Sequence, residues 1–236
     1  MENTRSAMQR WLDVGPERIE GWLTAFAARH GTMAADVGRD VVTVTAGDGA
    51  IAECHPPFPP FPPFPRPAPG GGDAASLGVA LAAHATADRL VGVFLVRLGG
   101  YAAGVFGGPD ARLVASKVGS RLVHGRSAAG GTSQHRFARR REKQANEALA
   151  AAADCAIGVL GPYAGKLDAV VLGGDKRAMA TLREDARLSP YFEIAVDRFL
   201  TVPDPRLKVL QGTPRAFRAI RIRLTETGSD SAAGQR

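Results

Sequence analysis

The residues best placed to do chemistry are Gly130-Gly131-Thr132-Ser133-Gln134. Two adjacent glycines reach positive φ without strain, so the backbone there can turn sharply and come close to another molecule. Thr132 or Ser133 can accept a hydrogen bond from the free N–H groups of a following helix. Gln134 then sits at the helix start, where partial positive charge gathers. A glutamine is neither a strong nucleophile nor a general base, but its amide and backbone N–H can place a water or orient a substrate. Such a residue suits a reaction whose remaining catalytic groups belong to the partner.

Directly after the loop, Arg136, Arg139, Arg140 and Lys143 recur at i, i+3, i+4 and i+7 and share one helical face. Phe137, Ala145, Ala148 and Ala152 occupy another, apolar face fit to pack on a sheet. A solvated surface accounts for most charge runs. Here, however, like charges at i, i+4 cost ~0.2–0.5 kcal/mol per pair, and only Glu142 offers local relief. Phosphates would remove that repulsion, which points to RNA. Arg126 and His135, which flank the loop, join the expected RNA-binding set.

Other signatures are missing. Nothing matches Gly-x-Ser-x-Gly, a P-loop or His-Glu-x-x-His. His30, His55, His84, His124 and His135 have no metal-ligand spacing, so neither a metal nor a cofactor is expected. Cys54 and Cys155 stand far apart, which fits a reducing, cytoplasmic interior. No apolar run approaches the ~20 residues of a membrane span. Gly173-Gly174-Asp175-Lys176 lies between an expected strand and an expected helix, where phosphate can bind, although turn chemistry explains it equally. The formal net charge of +7 over 236 residues draws polyanions generally.

These residues need a scaffold. A helix is expected after Gly15-Pro16, with Ile19, Trp22, Leu23, Phe26 and Ala27 on its apolar face and Gly31 as its C-terminal cap. Residues 41–45 and 51–54 read as a hairpin across Gly47-Asp48-Gly49. Pro56 to Gly72 reads as a proline-rich surface insertion. Three strands follow over 91–98, 101–106 and 113–118, then a long helix over 134–160. Strands over 167–172, 193–196 and 220–224 alternate with helices over 176–188 and 206–218. A meander followed by strand–helix alternation predicts an α/β chain with one mixed sheet and helices on both faces. Residues 1–226 are expected to form a single domain and 227–236 a disordered tail.

The run Gly130-Gly131-Thr132-Ser133-Gln134 with His135-Arg136-Phe137-Ala138-Arg139-Arg140-Arg141-Glu142 resembles the signature of the actinobacterial VLRF-type peptidyl-tRNA hydrolases. That family is related to the catalytic domain of eukaryotic and archaeal class-one release factors. Residues 16–31, Val170 to Asp175 and Val202-Pro203-Asp204-Pro205 extend the resemblance over most of the chain. It implies a release-factor-like domain with an RNase H-like core. It also implies hydrolysis of the ester joining a nascent peptide to tRNA on stalled large ribosomal subunits. Gln134 would place the water, Gly130 and Gly131 would shape the loop, and the basic face would meet ribosomal RNA. Release factors carry two glycines immediately before their glutamine, where this chain has Thr132 and Ser133. Two other readings stay open: cleavage of tRNA near its 3′ end, and a non-catalytic RNA-binding module. Neither DNA nor a membrane is an expected partner.

Overall fold

The computed structural model describes residues 7–63, 74–97, 99–121 and 134–227, and of residues 7, 134–141 and 227 the backbone alone. The chain divides into two compact units, one formed by 1–86 with 218–236 and the other by 87–217. Each has its own five-stranded sheet and its own apolar core. The single mixed sheet expected from the sequence is thus two sheets. The cause is the last strand, which reads as the end of an alternating series but pairs with the first.

The first unit contains β1 (Ala7–Val14), β2 (Met33–Val37), β3 (Val42–Ala46), β4 (Ile51–His55) and β10 (Ile220–Thr227) in the antiparallel order β1-β10-β4-β3-β2. The helices α1 (Ile19–His30) and α2 (Ala74–Thr86) bury Ile19, Leu23, Phe26, Leu77 and Leu81 in its core. Their backbones approach closely at Gly78, where a Cβ would lie 2.4 Å from the Cα of Glu20. The helix expected after Pro16 starts later, at Ile19, and Gly31 caps it with φ 88° and an N–H donated to the Ala27 carbonyl. Burial pushes the Cys54 thiol up to about 12, so it is inert packing.

The proline-rich stretch is not wholly a surface insertion. Phe58 and Phe61 are buried, and His84 Nε2 donates to the carbonyls of Pro57 (3.0 Å) and Phe58 (3.1 Å). The Phe61 ring meets the His84 ring edge-on. Phenylalanines at a period of three disguise this anchoring, because the prolines dominate the pattern. Phe64 and the rest of that stretch to Gly72 lie outside the described residues.

The second unit contains β5 (Val91–Arg97), β6 (Gly100–Gly107), β7 (Arg112–Ser120), β8 (Ala169–Gly174) and β9 (Ala195–Leu200) in the order β7-β6-β5-β8-β9. The meander β5-β6-β7 is antiparallel, whereas β5, β8 and β9 run parallel. Nearly all of β5 and β6 is buried, as expected of strands covered on both faces. On one face lies α3 (Gln134–Leu160). On the other, α6 (Leu207–Gln211) sets Leu210 against Gly104, and Phe217 of α7 (Thr213–Phe217) packs edge-on against Phe106. The α/β class and the two-sided cover hold within this unit.

Two expected helices are broken. The one predicted over 176–188 ends as α4 (Lys176–Leu182), with a 3-10 turn at Ala186–Leu188 before α5 (Ser189–Glu193). The one predicted over 206–218 is α6 and α7, parted at Gly212 where Pro214 opens the next helix.

Candidate functional site

The long helix α3 starts at Gln134 and ends at Leu160, the bounds its sequence pattern predicts, and at about 1.5 Å per residue its 27 residues span roughly 40 Å. Its C-terminal half is fixed by packing. Ala148, Ala152, Ala153, Cys155, Ala156, Val159 and Leu160 are all buried, and from Ala152 onward they share a core with Phe94, Val96, Tyr101, Ala103 and Val105 of the sheet. Alanines at these positions let the helix lie close to the strands. Burial raises the Cys155 thiol above its ordinary range, and its Sγ donates to the Lys117 carbonyl at 3.5 Å.

This bond also sets the level of the helix against the sheet. Lys117 stands three residues before the end of β7, and Leu160 lies against Gly92 near the start of β5. With rises of about 3.3 Å per strand residue and about 1.5 Å per helical residue, the sheet ends near the level of Ala148. Residues 134–147 therefore continue roughly 20 Å past the carboxyl ends of β5 and β8. Glu142, Lys143, Asn146 and Glu147 on this part are exposed. Among the described residues Lys143 makes only a long surface pair with Glu147, at 3.9 Å.

The structure thus places Gln134 at the head of the projecting half and Lys143 on its open surface. Gly130, Gly131, Thr132, Ser133 and Arg126 lie outside the described residues, as do the side chains of Gln134, His135, Arg136, Arg139 and Arg140. The expected cap from Thr132 or Ser133 lies outside them too. On the apolar face that the sequence pattern predicts, Ala148 is buried and Ala145 half-buried.

The Gly173-Gly174-Asp175-Lys176 motif is accounted for by packing. Gly174 has φ +102°, and a Cβ there would lie 2.1 Å from the Val96 carbonyl oxygen. Asp175 caps α4, accepting from the N–H groups of Arg177 (2.8 Å) and Ala178 (3.3 Å). No group of His, Cys, Asp or Glu among the described residues could hold a metal, and no helix there is long and apolar enough to cross a membrane.

The fold also assembles residues that no sequence spacing announces. Strand register aligns Ser120, Gly100, Arg97 and the Val96–Gly174 pair at one end of the sheet. Arg97 donates to the Val202 carbonyl at 2.8 Å, tying the segment after β9 to that end. Arg121, the adjacent Lys176 and Arg177, and Arg206 come from three separate stretches and stand exposed around it.

Residues 89–223, which include the mixed sheet and the helix that projects from it, match a model of release factors. The chain belongs to the Actinobacteria/Chloroflexi VLRF1 release factor family. The match takes in all of the second unit's sheet, α3 and the first residues of β10. Among solved structures, the archaeal translation termination factor aRF1 is 18% identical with a TM-score of 0.40, over 70% of this chain and 46% of its own. The Vms1 mitochondrial localization core is 10% identical with a TM-score of 0.38, over 87% and 80% respectively. A structure titled only as an archaeal protein is 19% identical with a TM-score of 0.35, over 74% and 50%. The chain thus spans less than half the length of the archaeal termination factor it matches. No curated protein is significantly similar to it.

Proposed function

We propose that this protein frees nascent peptides from stalled large ribosomal subunits by hydrolysing the ester between peptide and tRNA. Gln134, at the tip of the projecting half of α3, orients the attacking water in the peptidyl-transferase centre. Gly130, Gly131, Thr132 and Ser133 shape the loop that delivers it. Arg126, His135, Arg136, Arg139, Arg140 and Lys143 meet RNA phosphates along the way in. The reading needs no cofactor, since the ribosome and the tRNA supply the remaining polar groups, and it places the reaction in the cytoplasm.

One observation carries the reading. The family match contains a helix whose second half is locked to the sheet and whose first half, beginning at Gln134, continues past it. A rigid projecting arm is what a body needs to deliver a small group into a deep, RNA-walled site. Glutamine chemistry then limits the delivered group to positioning water rather than attacking.

The test is release from purified large subunits carrying a stalled peptidyl-tRNA, followed by sequencing of the tRNA 3′ ends. Ester hydrolysis leaves the terminal adenosine in place. Loss of nucleotides from that end would assign the endonuclease reaction instead, and binding without release would leave an RNA-binding module.

A further inference from the structure

The end of the second sheet from which α3 projects is charged differently from the other end. At the projecting end, Arg121 follows β7, Lys176 and Arg177 open α4, and Arg206 precedes α6. All four are exposed. Among the described residues Arg121, Lys176 and Arg177 have no carboxylate partner, and Lys176 Nζ stands 5.7 Å over the Phe199 ring. Of the carboxylates beside these cations, Asp175 caps α4 and Asp204 forms an exposed pair with Arg206 at 3.7 Å. At the opposite end cations and carboxylates balance. Arg112 pairs with Asp110 at 3.3 Å, Arg89 faces Asp168, and Glu193 adds negative charge.

We propose that Arg121, Lys176, Arg177 and Arg206 form a phosphate-binding collar for the acceptor arm of the tRNA whose ester is cleaved. The inference rests on the function proposed above. If the terminal adenosine lies at Gln134, the RNA covalently joined to it is the one strand whose position relative to α3 is fixed. That strand passes the collar about 20 Å from the tip. Guanidinium and ammonium groups on three different segments, all but Arg206 without a carboxylate partner among the described residues, grip a polyanion without reading its sequence, as phosphate contacts do. Arg97 acts differently: its guanidinium is spent on the Val202 carbonyl, so it holds the collar's last segment in place. Such a remote contact contributes uniform binding, felt equally by the ground state and the transition state.

The test is binding of an RNA minihelix with an acceptor end, across a salt series, to the wild-type protein and to a variant with Arg121→Gln, Lys176→Gln, Arg177→Gln and Arg206→Gln. These positions are exposed, and an unchanged thermal midpoint confirms folding. The account expects at least tenfold weaker binding at low salt, with a salt slope shallower by ~0.7–0.9 for each phosphate that is no longer neutralised. In the release assay it expects a raised KM with kcat nearly kept. An unchanged affinity and slope would overturn the collar, as would unchanged minihelix binding alongside weakened binding to vacant large subunits. A protein that releases nothing but whose minihelix binding collapses in the variant would keep the collar and discard the hydrolase reading.

Discussion

Between Ala148 and Leu160, α3 meets the sheet through alanines, a cysteine and aliphatic side chains that are almost wholly buried. Between Gln134 and Glu147 the same helix carries arginines, lysine and glutamate, and where its side chains are described most are exposed. Both halves have the same backbone geometry and opposite reasons for it. The inner half is helical because tertiary packing holds it. The outer half gains no such burial at Glu142, Lys143, Asn146 or Glu147, and clusters like charges that weaken a helix. A stretch that is locally costly yet continuous with a rigid anchor is where function is to be sought.

Substitutions should separate the two halves sharply. Ala156→Asp would bury an unpaired charge at a fully buried site and should cost about 3–5 kcal/mol, unfolding the second unit in a denaturant titration. The same charge introduced on the outer half, as Asn146→Asp at an exposed site, should stay within about 0.5 kcal/mol. A cost of several kcal/mol for Asn146→Asp would mean that the outer half is packed after all. Next in size is Arg139→Glu with Arg140→Glu, which should lower affinity for large subunits about tenfold or more and flatten its salt dependence without moving the thermal midpoint. Unchanged subunit binding would reduce the basic face to a solvated one. Smallest is Glu147→Gln, which removes the pair with Lys143; the destabilisation should not exceed about 0.5 kcal/mol by thermal denaturation.

The same contrast explains what the sequence makes legible. The inner half of α3 follows from alanines at helical spacing, since burial on one face leaves a periodic trace, and its start at Gln134 from the glycine loop before it. The meander β5-β6-β7 is likewise marked by the glycine turns that part its strands. The pairing of β10 with β1 is not, because strand partners more than two hundred residues apart leave no local pattern. β1 itself escapes notice: Gln9, Arg10, Trp11 and Asp13 dilute the apolar alternation of an edge strand. β2 and α2 are equally unmarked, the helix being alanine-rich and adjoining the proline stretch. At the candidate site, the loop and basic face stand out in the sequence because their residue types are unusual for their places, and of them the described side chains include Lys143 alone. The collar does not stand out, since Arg121, Lys176, Arg177 and Arg206 are ordinary surface cations until the sheet register gathers them.

The central claim is that the outer half exists to deliver Gln134. Its most direct test is single-turnover peptide release from stalled large subunits by wild-type protein and by Gln134→Ala, with subunit binding and thermal midpoint measured on the same samples. The account predicts release slowed about 100-fold or more, with binding and stability unchanged, the size of effect seen when one positioning donor leaves a polar site. Release at the wild-type rate in Gln134→Ala would contradict it.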